Sequence, residues 1–307
     1  MKTAYLTHPS SLKHNMGAGH PECPARIQAI EDQLIASGLM PFLDRQDAPA
    51  ASKEQLQRAH SIDYIETIFR DSPSNGLVYL DADTAMNPYS LEAALHAAGA
   101  AVKAVDLVMS GQNENAFCNI RPPGHHAGRS SAAGFCIFNN VAVAAAHALA
   151  HYGLSRVAIA DFDVHHGNGT DEIFNGDSRV MLCSTFRYPY YPYEGVDSGN
   201  EHIINVPLAA GATGTQFRAA VTENWLPALE QFKPELLLIS AGFDAHWEDD
   251  MGGLALREED YMWITETLKR IAIHHTNGRI VSVLEGGYAL HALGCSVLAH
   301  IKVLSGL

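Results

Sequence analysis

Val157-Ala-Ile-Ala-Asp-Phe-Asp-Val-His-His-Gly-Asn-Gly169 carries the reading of the fold. Val157–Ala160 is a short apolar run, which reads as a buried strand. Asp161, Asp163 and His165 follow at two-residue spacing, so along an extended chain they start on one face. A carboxylate and an imidazole that close suit a borderline cation such as zinc. For an isolated Asp-x-His the other reading is a polar loop without metal. Gly167 and Gly169 then let the backbone turn away tightly.

The chain has 307 residues, 47% of them hydrophobic, enough for a sizeable core in one α/β domain spanning 1–307. No run of about 18 apolar residues occurs, so no transmembrane helix is expected. Met1–His8 lacks a signal-peptide pattern and reads as a first strand, which predicts a soluble, cytoplasmic protein. Cys23, Cys118, Cys136, Cys183 and Cys295 include no Cys-x-x-Cys pair, and their odd number argues against a disulfide framework. A net charge of −14 argues against a general nucleic-acid surface and is compatible with cationic substrates. Histidine is abundant, at 17, which fits metal or acid–base chemistry.

Working outward, apolar runs recur at Ala4–Thr7, Ala116–Ile120, Val180–Ser184, Leu236–Ser240 and Ile280–Leu284. Most lack polar alternation, as parallel strands covered on both faces do. Helical patterns span Pro24–Ser37, Ser61–Arg70, Ser90–Ser110, Asn140–Tyr152, Gly214–Phe232, Arg257–His275 and Leu290–Leu304. Pro24 fits a first helical position, and Gly38 and Gly111 fit helix stops. This alternation predicts an α/β fold: an open, mostly parallel sheet with helices on both faces. The aromatic, Pro-broken stretch Tyr188–Tyr193 reads as a loop that either lines a pocket mouth or packs on the surface.

In such sheets ligands bind beyond the carboxyl ends of the strands. Four strand ends deliver chemistry there: His125 and His126; Asp161, Asp163 and His165; Asp244; and Tyr288. Asp163, His165 and Asp244 form an N/O set of three, leaving one position open as in catalytic zinc sites. The two histidines suit proton transfer, and Asp161 and Asn168 are placed to orient them. Tyr288 can hydrogen-bond a developing oxyanion. Together these groups describe metal-assisted hydrolysis of a carbonyl compound.

The sequence resembles the histone deacetylase family, which has an arginase-like fold and includes bacterial acetylpolyamine amidohydrolases. The matching motifs are His20-Pro-Glu-Cys-Pro-Ala-Arg26, Arg121-Pro-Pro-Gly-His-His126, Gly134-Phe-Cys-Ile-Phe-Asn-Asn140, Asp161–Gly169, Ala241-Gly-Phe-Asp244 and Glu285-Gly-Gly-Tyr288. The first of them, with Asn168, is similar to the class II branch. The resemblance implies zinc on Asp163, His165 and Asp244. It makes His126 the general base and then acid, with His125 and its partner Asp161 acting electrostatically. Asn168 stands where some relatives carry Asp beside the second histidine. Tyr288 polarises the acyl carbonyl. Phe135, preceded by Gly134, and Tyr191 are the implied walls of an acyl-lysine channel, with Gly286 and Gly287 also on the substrate and Asp83 at the rim. An inner potassium site is implied at Asp161, Asp163, His165, Ser184 and Thr185, with some ligands being backbone carbonyls. An outer monovalent-cation site is implied at Phe174, Asp177 and Val180.

The activity so implied is zinc-dependent removal of acetyl or acyl groups from amines, either acetyl-lysine side chains or acetylpolyamines. Bacterial relatives form dimers or tetramers, so a homo-oligomer is a further expectation. Two other readings compete. A binuclear manganese ureohydrolase needs bridging carboxylates where His166-Gly167 and Ala245-His246 stand. A catalytically silent acyl-lysine-binding protein would have lost Tyr288 or a metal ligand. His246 repeats the Asp-x-His spacing, but three ligands already suffice and a hydrogen-bonding loop role suits it better.

Overall fold

The computed structural model describes residues 2–197 and 200–307. The strands are β1 (Ala4–Thr7), β2 (Asp44–Asp47), β3 (Val78–Tyr79), β4 (Ala85–Met86), β5 (Asn115–Cys118), β6 (Val157–Asp161), β7 (Val180–Arg187), β8 (Ile203–Leu208), β9 (Leu236–Ala241) and β10 (Ile280–Leu284). Among the described residues, eight of them form one sheet in the order β2-β1-β5-β10-β9-β6-β7-β8, and every pairing in it is parallel. β3 and β4 form a small antiparallel pair apart from it. The helices are α1 (Ala25–Ala36), α2 (Lys53–Gln57), α3 (Ile62–Asp71), α4 (Ser90–Met109), α5 (Asn140–Tyr152), α6 (Asn168–Phe174), α7 (Gly214–Ala220), α8 (Leu226–Phe232), α9 (Glu258–His275) and α10 (Leu290–Ser305).

The apolar strands serve two cores at once. Val157, Ile159, Leu236, Leu238, Val281 and Val283 face one core with α4 and α5. Ala158, Ala160, Leu237, Ile239, Ile280 and Leu284 face the other, with α1, α9 and α10. Alternate side chains point to opposite faces, and both faces are covered, so the strands read as unbroken apolar runs. α3 and α5 begin where Ser61 and Asn139 accept from the N–H groups of Tyr64 and Ala142. Gly38 and Gly111 follow α1 and α4 at φ +73°, the left-handed turn that ends a helix. Pro24, expected at the first helical position, lies instead at the N-cap of α1, one residue before Ala25.

The expected continuous helix over Gly214–Phe232 is divided. A π turn, Val221–Trp225, separates α7 from α8. Pro227, in the first turn of α8, has no N–H to give to the preceding turn, and the wider turn accommodates that gap. α6 replaces the expected turn after Gly167, beginning at Asn168 itself. The sheet's two edge strands, β2 and β8, carry no long apolar run and have no counterpart among the expected strands. No helix among the described residues is long and apolar enough to cross a membrane.

Candidate active site

β5, β10, β9 and β6 are consecutive in the sheet, so the four polar strand ends expected from the sequence lie side by side. The end of β5 runs into Gly124-His125-His126, where Glu285, just beyond β10, accepts from Gly124 N at 2.7 Å and His125 N at 3.1 Å. Beyond β6 each carboxylate caps the backbone of the next residue in the set. Asp161 Oδ1 accepts from Asp163 N at 3.1 Å, and Asp163 Oδ1 accepts from His165 N at 2.9 Å. Asp244 Oδ1 reaches across to accept from Val164 N at 2.9 Å. Gly286 N donates to Asp163 Oδ2 at 2.8 Å, and a Cβ there would stand 2.1 Å from Asp244 Oδ2. Position 286 therefore tolerates no side chain without displacing a carboxylate.

Asp163, His165 and Asp244 are buried and offer ligand atoms within 4.8 Å of one another. His165 Nδ1 stands 3.0 Å from Asp163 Oδ1 and 3.3 Å from Asp244 Oδ2. Asp244 Oδ2 is buried with no hydrogen-bond partner among the described residues. Burial, then the charge of Asp163, push the Asp244 carboxyl up to about 6. Two buried carboxylates and an imidazole converging on one point, one oxygen unsatisfied, fit a divalent cation. His246 stands outside this group: its Nδ1 accepts from Glu248 N at 3.2 Å and its Nε2 lies 3.6 Å from Glu258.

The two histidines are held differently. His125 Nδ1 is 3.0 Å from Asp161 Oδ2. Burial alone would lower its pKa, but Asp163 and Asp161 outweigh it and push it up to about 10. His126 Nδ1 is 2.8 Å from Asn168 Oδ1, while Asn168 Nδ2 donates to Glu194 at 3.3 Å. With its NH₂ group turned to Glu194, Asn168 offers only its oxygen. His126 Nδ1 then donates, and Nε2 keeps a lone pair. Burial, then the neighbouring His125 and His165, hold His126 well below its ordinary value.

A cavity of about 220 Å³ opens above this centre, lined in part by His126, His165, Phe135, Tyr191, Met251 and Tyr288. The rings of Phe135 and Tyr288 meet edge-on at 5.9 Å, and Tyr191 meets His126 edge-on at 5.1 Å. Tyr190 stacks on His165 at 5.5 Å. The 188–193 stretch thus lines a pocket. Gly134 and Asp83 also line it, and Asp83 is half-buried, its carboxyl raised by burial and by Asp81. Gly286 and Gly287 are not among the lining residues; Gly287 accepts from Arg26 Nε at 2.6 Å.

Sequence reasoning missed the frame behind Tyr288. Arg26 also donates to Glu285 O at 2.5 Å, and its guanidinium lies 5.0 Å from the Tyr288 ring centre. Glu22 receives Arg26 and both Nε and Nη2 of Arg121. Burial alone would raise Glu22, but Arg121 and His14 outweigh it and hold its carboxyl well below the usual range. Asp249 Oδ2 accepts from Tyr288 N at 2.6 Å and Ala289 N at 3.0 Å. The signal for Glu22 and Arg26 was their place in the His20–Arg26 motif, and for Asp249 its place in the acidic stretch after Asp244.

Of the implied monovalent-cation residues, Asp161, Asp163 and His165 belong to the centre already described, and Ser184 and Thr185 lie on β7, next to β6. Ser184 pairs in register with Asp161 across β6 and β7, and its buried Oγ has no hydrogen-bond partner among the described residues. Thr185 is buried beside it. Phe174 O accepts from Asp177 N at 2.9 Å and Asp177 O from Val180 N at 3.0 Å, so the three outer-site residues share one tight turn before β7.

A parallel α/β sheet with a buried Asp-His-Asp set that could hold a metal, and paired histidines at its carboxyl edge, has the layout of a hydrolase. Residues 20–304 match the histone deacetylase domain family. A histone deacetylase-like amidohydrolase of Pseudomonas aeruginosa is 38% identical, the alignment covering 94% of this chain and 78% of that one. The mouse polyamine deacetylase HDAC10 is 38% identical over 93% of this chain and 45% of its own length. The crystal structure of the HDA15 HD domain superposes with a TM-score of 0.94 at 35% identity, covering 99% of this chain and 88% of that one. The chain belongs to the histone deacetylase family, and it is a hydrolase of the deacetylase and amidohydrolase kind.

Proposed function

We propose that the chain is one catalytic domain that removes acetyl or short acyl groups from primary amines, with zinc held by Asp163, His165 and Asp244. The observation that carries this reading is the unsatisfied Asp244 Oδ2 facing His165 Nδ1 at the floor of the aromatic channel. Zinc, when bound, supplies a Lewis acid that activates water and polarises the amide carbonyl. His126 Nε2 takes the proton from the attacking water and returns it to the leaving amine. Asn168 and Glu194 hold His126 in the tautomer this requires. His125, charged beside Asp161, stabilises the negative charge that develops. The Tyr288 hydroxyl donates to the same oxyanion. Burial, then Asp244, push this phenol well above its ordinary value, so it stays a donor at neutral pH.

The channel walls are aromatic and apolar, which suits the methylene chain of an acyl-lysine or an acylpolyamine. Asp83 at the mouth suits a backbone N–H or an ammonium. The polyamine-deacetylase and amidohydrolase relatives support both substrate classes equally. Potassium belongs to the same proposal, and the free Ser184 hydroxyl oxygen beside Asp161 supports it.

The test is steady-state turnover of acetyl-lysine peptides and N-acetylated polyamines by the zinc-loaded enzyme. Tyr288→Phe should lower kcat by about 10²–10³-fold while zinc content is unchanged, the cost of losing one oxyanion donor. His126→Ala should abolish turnover at neutral pH. Wild-type levels of turnover in either variant would sink the mechanism.

A further inference from the structure

Tyr288 follows two glycines, and Gly287 takes φ +120°, so the chain there is free to swing unless something outside it holds it. On one flank Arg26 holds the carbonyls of Glu285 and Gly287. On the other stands Asp249, a buried carboxylate. Its Oδ2 accepts from Tyr288 N at 2.6 Å and Ala289 N at 3.0 Å, and its Oδ1 accepts from Met251 N at 3.0 Å. We propose that Asp249 is a positioning residue for catalysis: it holds the Tyr288 phenol in the channel and ties that hold to Met251 in the channel wall. The proposal rests on the reading of Tyr288 as the oxyanion donor.

A helix cap is the plainer role for such a carboxylate, and the register sets Asp249 apart from it. α10 begins at Leu290, with Ala289 as its N-cap. A capping side chain serves the N–H of the second or third helical residue, here His291 or Ala292. Asp249 instead serves Tyr288 and Ala289, the two residues before the helix. A buried charge is costly unless its oxygens are hydrogen-bonded. The N–H groups that satisfy this one belong to Tyr288, Ala289 and Met251, so its burial is offset only while those residues stay in place.

The loop that carries Asp249 is itself braced against the catalytic centre. Asp249 N donates to His246 O at 2.9 Å and Gly252 N to Asp249 O at 3.1 Å, which folds residues 246–252 back on themselves. Tyr190 Oη donates to Met251 O at 3.1 Å, and Arg187 Nη1 to Gly252 O at 3.0 Å. The Tyr190 ring stacks on His165, and Met251 lines the same cavity as Tyr288. A substrate chain pressing on Met251 therefore pushes on the carboxylate that fixes Tyr288. Asn at this position would keep the shape but has one acceptor oxygen, so it can serve Tyr288 or Met251 and not both.

Steady-state turnover by the zinc-loaded full chain, on an acetyl-lysine peptide and an N-acetylated polyamine, tests this in a double-mutant cycle with Tyr288→Phe. Asp249→Ala should lower kcat at least about tenfold, with KM within about twofold and zinc content unchanged, because the lost interaction is made in the transition state. Asp249→Asn, which keeps the volume, should fall between Asp249→Ala and wild type. In the Tyr288→Phe background Asp249→Ala should cost less than about twofold more, since the hydroxyl it positions is already gone. Equal fractional losses in both backgrounds, or loss of zinc, overturn the proposal by placing the role of Asp249 elsewhere. A readout without turnover separates the proposal from the mechanism. With fluorotyrosine at position 288, the fluorine NMR resonance should move toward the unfolded-chain value in Asp249→Ala. Wild-type turnover in Tyr288→Phe would remove the oxyanion role, and the fluorine shift would still decide whether Asp249 holds the ring. An unmoved resonance overturns the proposal.

Discussion

A neutral amide beside His126 sets that imidazole's basicity differently from a carboxylate. Asn168 Oδ1 fixes the proton on Nδ1 without adding charge, and His126 remains well below its ordinary pKa. Asn168→Asp would put a negative charge within hydrogen-bond reach, which favours the protonated ring. The acid limb of the kcat/KM profile should then move to higher pH by about one to three units. An unchanged acid limb would remove Asn168 from any role in tuning the base. The ligand and proton-transfer residues were legible because each stands a few residues beyond an apolar strand. The work of Glu285, Asp249 and Arg26 was not, although Arg26 and Glu285 stand inside matching motifs, because it is done on backbone N–H and C=O groups.

At the level of elements, most interior strands and long helices could be read within a residue or two, but β7 runs three residues beyond the expected Ser184, to Arg187, and the helix expected over Gly214–Phe232 is divided. β2 could not, since Asp44-Arg-Gln-Asp47 contains no apolar residue and extends only because β1 offers it a paired edge. α6 was hidden because two glycines at its start read as a turn. α10 shows the opposite case, a legible helix with an unexpected polar core contact. Its His300 is fully buried between Thr265 Oγ1 at 2.6 Å and Ser282 Oγ at 2.9 Å. Burial lowers it to about 3, and burial lowers His60 to about 4. Below the unfolded value near 6.5 the unfolded chain binds protons that the folded chain refuses, so stability falls as pH drops. Each histidine contributes a slope of about 1.4 kcal/mol per pH unit between roughly pH 6 and its folded value. Urea unfolding of His300→Gln should show the pH 6 to 4.5 slope reduced by about that amount. An identical slope would mean that His300 already takes up a proton in the folded state.

For the whole molecule, the net charge of −14 acts at distances beyond any contact. Between low salt and about 0.5 M, kcat/KM for a cationic acetylpolyamine should fall several-fold, while an uncharged acetyl-amide substrate should change little. Equal salt dependence for both substrates would show that the field does not guide substrate. The same scale gives the two sheet edges a meaning for colloidal behaviour. β2 ends the sheet with Asp44, Arg45 and Asp47, and β8 ends it with Pro207 near its carboxyl end. A second chain adding a strand at β2 must strip water from charged side chains, and at β8 it meets a residue without an N–H. An eight-stranded sheet that could otherwise grow at both ends is in this way terminated by its own least apolar strand and by a proline, a safeguard against strand-paired aggregation in a concentrated solution.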